Sequence, residues 1–461
     1  MARVWPVADA GLGNSTYVAE VAGGLALVVD PGRDPRPYLD LAAAHRLRIA
    51  FAAETHVHAD FVSGGRELAG LGARLLAPAG SGLAFGHEEI RDAQELDLGG
   101  LTLRALATPG HTPEHLSYLL LDGTEPVAVF TGGALIAGGV ARTDLADPAS
   151  AGPATWAAYR SARALLALPD ALAVYPTHGP GSFCSPGPGG ERTTTIGREK
   201  AANPLLAAAD EDAFTAALLA GFGSYPAYFD WMPAINRRGA PRYGTARPVL
   251  AGLTPAHVAE LAAAGATIVD ARPIEAFAAA HVPGSLSNAL RPAFATWLGW
   301  LADPRRPLVV VMDAGQDRGE LVEACLKIGY DNLAGELDGG IAAWRAAGRA
   351  TASIPLVEAS EAAASEGGWG GGRGQVIDVR QDSEWAAGHI AGAAHRELGA
   401  LAGPGATAGL AGAPAIVMCE HGERGMTGAS LLAAAGTAGV SVLRGGPADW
   451  AKAASESLEH Q

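Results

Sequence analysis

Basic residues are scarce in this 461-residue sequence: 33 Lys and Arg stand against 48 Asp and Glu, a formal net charge of -15. So acidic a chain lacks the positive footprint that nucleic acid or an anionic membrane surface demands, and neither is expected as a partner. Cysteine is scarcer still. Cys184, Cys325 and Cys419 are too few and too scattered for a disulfide framework, so each has to be judged as a chemical group. No apolar run approaches the roughly 20 residues that span a bilayer, and the opening MARVWPVADAG has no charged stretch leading into a long apolar one. A cytoplasmic location is the expectation. Charged residues make up only 18% and hydrophobic ones 49%, which excludes a disordered chain and supplies several ordinary cores. At roughly 150 residues per domain, the length points to about three domains.

What is present is a repeated alternation of strand-like and helix-like segments. Along residues 1–200, short apolar runs end in Gly/Pro turns or polar loops: YVAEVAGGLALVVDPG, LTLRALATPGH, EPVAVFTGG and ALAVYPTHG. Ala/Leu-rich stretches at helical spacing, 37–47 and 153–168, lie between them, which describes a layered α/β domain. Residues 203–244, rich in aromatics and Pro, read as an extended connector. Two later stretches then match each other: TIVDARPIEAFAAAHVPGSL from Thr267 and QVIDVRQDSEWAAGHIAGAA from Gln375. Each runs a β-type segment into Asp-x-Arg, then an aromatic, then His-[Val/Ile]-x-Gly. An apolar strand, an Ala/Leu-rich helix and Gly-Gly-x-x-x-Trp follow in both. This order of matches identifies a duplicated domain of about 100 residues. The expected boundaries are 1–244, 245–352 and 353–461. The Gly-rich stretch 365–374 reads as a flexible linker or a surface loop.

In the second repeat, the strand-like AIVM is followed by Cys419-Glu420-His421-Gly422-Glu423-Arg424 and then a helical run. A loop between a strand end and a helix start turns its backbone N–H groups inward, and the helix adds a positive dipole end. That setting suits a thiolate or the outer sulfur of a persulfide. The repeat resembles the rhodanese family of sulfurtransferases, through Asp378-Val379-Arg380, Gly388-His389-Ile390-Ala391-Gly392, the Cys419 loop and Gly445-Gly446-x-x-x-Trp450. The resemblance implies that Cys419 carries sulfane sulfur, held by the loop Glu420, His421, Gly422 and Glu423 and by Arg424. The four residues between Cys419 and Arg424 fit sulfur; tyrosine-phosphatase-like relatives use five, for phosphate. Glu420 and Glu423 would repel a dianion such as thiosulfate, so a small-molecule or protein persulfide is the expected donor. In the first repeat the loop reads Asp313-Ala314-Gly315-Gln316-Asp317-Arg318, and a carboxylate cannot carry sulfane sulfur. That copy resembles an inactive rhodanese domain, with Cys325 a core residue.

Toward the N-terminus, His56-Val57-His58-Ala59-Asp60, Thr108-Pro109-Gly110-His111 and Pro176-Thr177-His178 each follow a β-like run. Imidazoles delivered from several strand ends can converge on one metal. The three loops resemble the metallo-β-lactamase superfamily, and within it persulfide dioxygenases and their glyoxalase II relatives: THVHADFVSGG, TPGHTPEHLSYLL, VARTDL, YPTHGPGSFC, TTTIGREKAANP and YPAYFDWMPAINRRG all have counterparts there. The implied fold is an αββα sandwich followed by two α/β rhodanese-like domains with central parallel sheets. The departures fall on the metal site. Gly133 stands where the family carries an Asp ligand, Phe61 replaces a His, and Gly139 replaces a further Asp. His56, His58 and His111 remain as ligands, with Asp60 and His178 near them, for one Fe(II) or Zn(II); the alternative is no metal at all. Cys184, six residues after His178, is a candidate second thiol for the same pocket.

The function implied is sulfur transfer through a persulfide on Cys419 to an acceptor thiol or other nucleophile, beside a domain that has lost normal persulfide dioxygenase activity. Two alternatives stand with it: a bifunctional iron-dependent persulfide dioxygenase and sulfurtransferase, and a non-catalytic persulfide carrier or scaffold. The expected partners are a small-molecule persulfide such as glutathione persulfide and an acceptor thiol or protein. The sequence is neutral between a monomer and a homo-oligomer.

Overall fold

Residues packed on both faces of a sheet read as unbroken apolar runs, and four such runs become the centres of four sheets. In the computed structural model, which describes residues 3–145, 151–185, 190–364, 374–403, 405–407, 410 and 414–460, the chain forms two compact units. They are Met1–Pro248 with Glu323–Gly329, and Val249–Val322 with Tyr330–Gln461. The Gly-rich stretch 365–374 falls, apart from Gly374, outside the described residues.

The first unit holds two six-stranded sheets. One runs in chain order through Val4–Asp9, Asn14–Ala22, Leu25–Val29, Arg48–Ala53, Arg74–Pro78 and Glu88–Ile90. The other runs, across its width, Thr194–Thr195, Ala173–Pro176, Glu125–Gly132, Leu116–Asp122, Thr102–Ala107 and Glu95–Asp97. Tyr17, Leu27, Val29 and Leu76 of the first sheet meet Leu103, Tyr118, Leu120 and Phe130 of the second in a single buried core. Helices cover both outer faces. Ala158, Ala162 and Leu165 of helix Ala151–Leu165, with Phe214 and Leu218 of helix Glu211–Ala220, lie on the second sheet. Tyr38 and Leu68, from helices Arg36–Ala44 and Gly65–Gly70, lie on the first. The result is an αββα sandwich.

Two tyrosines join the sheets at the edge where the histidine loops emerge. Tyr17 on the first sheet donates its hydroxyl to the carbonyl of Pro176 (2.6 Å), two residues before His178. Tyr118 on the second donates to the carbonyl of Glu54 (2.9 Å), two residues before His56. Segment 203–244 departs from the extended connector expected of it. It forms a 3-10 turn at Ala227–Asp230 and a helix at Met232–Arg238. Pro233 falls in the first turn of that helix, where its missing N–H costs nothing, and Gly239 ends it with a positive φ of 82°. Two of the aromatics that suggested a linker are packing residues: Tyr228 and Phe229 are buried, as is Met232 beside them.

The second unit contains two five-stranded parallel sheets of the same topology. One is ordered Gly252–Leu253, Leu333–Leu337, Leu308–Val311, Thr267–Asp270, Leu286–Ser287, and the other Leu356–Glu358, Val440–Arg444, Ala415–Met418, Gln375–Asp378, Ala394–His395. The duplicated motifs make equivalent contacts. Arg272 bonds Asp270 through Nε (2.8 Å) and Nη2 (2.6 Å) and donates to the carbonyl of Ala280. Arg380 likewise bonds Asp378 and donates to the carbonyl of Gly388 (2.7 Å). Phe277 stacks on His281 with ring centroids 3.8 Å apart, and Trp385 on His389 at 3.6 Å. Asp-x-Arg is therefore a pin holding the strand end to the helix that follows it.

Replacing Tyr17 by Phe keeps the packing but removes the hydroxyl and strands the Pro176 carbonyl. The expected cost is about 1–2 kcal/mol, read as a lowered midpoint in chemical denaturation of the first unit's transition. An unchanged midpoint would mean that the tie between the sheets is not stabilising.

Candidate functional site

Cys419 is the first residue beyond the buried strand Ala415–Met418, and helix Glu423–Ala434 starts four residues later. Gly422 between them has φ 101°, a left-handed conformation that turns its N–H back onto Cys419 Sγ at 3.1 Å. A side chain there would also press on the first repeat, whose Ile274 Cδ1 lies 3.2 Å from the position of a Cβ. Other residues of the first repeat approach the same helix: Ser430 Oγ accepts from the N–H of Ser287 (3.1 Å), and the Trp297 ring lies 5.9 Å from the Arg424 guanidinium carbon. Glu420 lies 3.7 Å from Arg380.

Arg424 points its guanidinium at Glu384, with bonds of 2.6 and 2.7 Å. Such a two-pronged pair fixes orientation as well as charge. Burial alone would push the Glu384 carboxyl up; the Arg424 bonds outweigh it and hold the group below its ordinary value. The first repeat shows the contrast. Ala276 stands at the position of Glu384, and Arg318 folds back onto its own loop, donating to the carbonyls of Asp313 (2.8 Å) and Gln316 (2.7 Å) and to Glu336 (3.0 Å). Carbonyls facing a cation make the opposite of an anion cradle. Cys325 is buried in helix Arg318–Leu326, and burial pushes its thiol well up. Cys184 is fully buried and pushed well up for the same reason.

In the first unit, His56, His58, His111, His115 and His178 form one buried cluster with Asp30, Glu54 and Asp60. Asp30 ends strand Leu25–Val29 with a left-handed φ of 49°, strain of a kind that gathers at functional sites. Its carboxylate accepts from the Thr55 N–H (2.7 Å), the Thr55 hydroxyl (2.8 Å) and the Thr177 hydroxyl. His58 Nε2 sits 3.2 Å from both Asp30 and Glu54. Burial alone would make this imidazole neutral, but the two carboxylates overcome it and push it up to about 10. Desolvation drives His56, His111 and His115 the other way, His111 down to about 3, leaving three neutral rings. Segment 227–238 supports the loop from beneath: Tyr228 donates to the carbonyl of Asp60 (2.7 Å), and the Asn236 amide donates to those of His58 and Phe61.

The cluster fits a cation. His58 Nδ1, His178 Nδ1 and both Asp60 carboxylate oxygens are buried without a hydrogen-bond partner, although His178 Nδ1 and Asp60 Oδ2 lie only 3.2 Å apart. Three groups of donors lie within 4.8 Å of one another: His56, His111 and His178; Asp30, His56 and His58; and His58, Asp60 and His178. His58 and His111 share none of these groups. At residue 133 a Cβ would come within 2.6 Å of His111 Cδ2, so the ring itself occupies the entry for a side chain. The Gly133 N–H donates to His115 Nε2 (3.0 Å), and His115 Nδ1 lies 2.9 Å from Thr108 Oγ1, so His115 is satisfied by the protein. The sequence reading missed Asp30, His115, Tyr228 and Asn236. A carboxylate ending the apolar run LALVVD was the available signal for Asp30, and a His four residues after His111 that for His115.

Two outcomes follow. Glu384→Gln leaves Arg424 with a neutral partner and is expected to cost about 1 kcal/mol of stability. Because the folded Glu384 carboxyl is depressed, its contribution is fully present above pH 4.5 and lost as pH falls through the lower folded value. The wild type and variant melting curves should therefore converge below pH 4.5; a gap that persists there contradicts the pair's role. The raised His58 value acts in the opposite direction. In chelator-treated protein, its contribution is fully present below pH 6.5 and lost as pH rises through about 10. Melting temperatures of wild type relative to His58→Gln should fall across that window, and a flat difference would place no charge on His58.

Known proteins carry the same two architectures. A family model described as the rhodanese-like domain matches residues 254–347 and 363–453. A hydroxyacylglutathione hydrolase of Methylobacillus flagellatus is 34% identical over 158 residues, 34% of this chain and 58% of that protein. The mitochondrial persulfide dioxygenase ETHE1 of Homo sapiens is 29% identical over 190 residues, 41% of this chain and 68% of that protein. The chain spans 40%, 58% and 55% of the length of the first three curated relatives it matches. A solved metallo-β-lactamase from Staphylococcus aureus superposes with a TM-score of 0.64 at 28% identity, covering 73% of this chain and 98% of that one. Among the described residues no helix is long and apolar enough to cross a membrane. The chain is a fusion of an N-terminal metallo-β-lactamase-fold domain with two rhodanese-like domains.

Proposed function

We propose that the protein is a sulfurtransferase whose second rhodanese-like domain carries sulfane sulfur on Cys419, with domain limits at 1–244, 245–352 and 353–461. The observation that carries this reading is the Gly422 N–H directed at Cys419 Sγ, in a loop whose counterpart in the first repeat has Asp313 and inward-facing carbonyls. The thiolate attacks the outer sulfur of a persulfide R–S–SH. The S–S bond of the donor breaks, R–SH leaves with the proton, and Cys419–S–S⁻ remains beside the loop amides. An acceptor thiolate then attacks the same outer sulfur, taking it as a new persulfide and returning the Cys419 thiolate. Arg424, fixed by Glu384, acts by holding the helix start and the loop in register.

Kinship with a hydroxyacylglutathione hydrolase and a persulfide dioxygenase supports glutathione persulfide, or a similar thiol persulfide, as donor. The N-terminal domain is read as a persulfide-binding domain that has lost normal dioxygenase activity, because Gly133 supplies no carboxylate and His111 fills the entry to that position. One Fe(II) or Zn(II) held by its imidazoles would orient and polarise a bound sulfur anion. A cytoplasmic location belongs to the same reading.

With glutathione persulfide as donor and cyanide as acceptor, the full chain should turn over repeatedly. Cys419→Ala should lower that rate at least a hundredfold, while Cys184→Ala and Cys325→Ala should leave it within about twofold, since both of those thiols are pushed well up and held protonated. Full turnover in Cys419→Ala would overturn the assignment.

A further inference from the structure

We propose that the first unit binds a free α-amino acid in a cavity of about 330 Å³, all of whose lining residues belong to that unit. The inference uses none of the histidine rings and does not depend on the role of Cys419. The walls come from the end of strand Val4–Asp9, from residues 32–38 at the start of helix Arg36–Ala44, and from segments 243–248 and 323–327. A volume at the lower end of the roughly 300–1,000 Å³ of small-ligand sites admits a small molecule. Phe61 stands between the cavity and the histidine cluster: its ring stacks on His58 with centroids 4.2 Å apart and also lines the cavity. The Val62 N–H donates to the Lys327 carbonyl (2.8 Å), so the wall that carries Lys327 is tied to the same loop.

The wall charges are of both signs. Lys327 pairs with Asp9 (2.9 Å), Arg36 with Asp34 and Glu323, and Arg247 with the same Glu323. Two further charges are taken up by backbone: Arg33 donates to the carbonyls of Leu326 (2.8 Å) and Pro241 (2.9 Å), and Glu67 accepts from the N–H groups of Tyr243 (2.7 Å) and Gly244 (2.9 Å). Arg36, Arg247 and Lys327 are left against Asp9, Asp34 and Glu323. A ligand of one charge would unbalance this set in a partly desolvated space, whereas a zwitterion leaves it balanced. Two guanidiniums meet on the single Glu323 carboxylate, and their forks of N–H donors suit a second carboxylate, that of the ligand. For the ligand's ammonium there is Asn14, which lines the cavity, is 4% exposed, and has its Oδ1 buried without a hydrogen-bond partner. Such an acceptor costs free energy until a donor meets it. Leu12, Tyr38 and Phe61 add apolar surface for an aliphatic side chain. Carboxylate, ammonium and apolar side chain together describe an amino acid such as leucine.

The test is calorimetric titration of the full chain with L-leucine, with 3-methylbutylamine and 4-methylpentanoate, which each lack one of its charges, and with glutathione. One L-leucine per chain is expected, and the amine and the acid should each bind at least about tenfold more weakly. Arg247→Gln and Lys327→Met should each weaken L-leucine binding about tenfold or more, whereas Arg160→Gln, whose ion pair with Glu211 is exposed, should bind as the wild type does. Absence of saturable L-leucine binding, equal binding of the amine or the acid, or wild-type affinity in both Arg247→Gln and Lys327→Met would overturn the proposal. Tighter binding of glutathione than of L-leucine would overturn it too, by assigning the cavity to a peptide thiol. The comparison of leucine with its two singly charged analogues is made on the wild type and needs no variant to fold.

Discussion

The second rhodanese-like domain depends on one backbone torsion. Because residue 422 adopts φ 101°, its amide reaches back to the Cys419 sulfur instead of continuing the helix outward. With an inward amide the strand-to-helix loop becomes a site for an anionic sulfur; with an outward one it would be an ordinary connection. The surrounding contacts preserve that torsion. Ile274 of the first repeat presses on the space a side chain at 422 would need, and Glu384 locks Arg424 at the opening turn of the helix. The first repeat thus acts as a wall beside the Cys419 loop, and its own loop is closed by Arg318 on inward carbonyls.

The duplicated signature separates scaffold from chemistry. Asp-x-Arg and the aromatic–His pair recur because both repeats need the same strand-to-helix pin, as the matched bonds of Arg272 and Arg380 demonstrate. Chemistry sits on the next strand end, where Asp313 and Cys419 part company. Glu384 in place of Ala276 goes with a thiol in place of Asp313, so the Cys419 loop differs from its twin in its support as well as in its first residue.

Much of this architecture was legible in the sequence. Unbroken runs such as LVVV and AIVM become central parallel strands buried on both faces, and the internal repeat could be read by matching motif order. Side-chain pairings across long separations were not legible. The partner of Arg424 is one of them, since nothing in the loop reveals a carboxylate 40 residues earlier. His178 read as a neighbour of the metal site; its ring nitrogen groups with those of His56 and His111, and also with His58 and Asp60. Segment 203–244 read as a connector because its aromatics have no simple period; within it Tyr228 reaches the Asp60 carbonyl and Asn236 that of His58.

The central claim is that one thiol of three carries the sulfur. Incubating the full chain with glutathione persulfide and mapping its peptides by mass spectrometry tests this most directly. The account predicts one added sulfur atom on the peptide containing Cys419, removed by cyanide, and none on those containing Cys184 or Cys325. Added sulfur on Cys184 or Cys325 with Cys419 unmodified would contradict it.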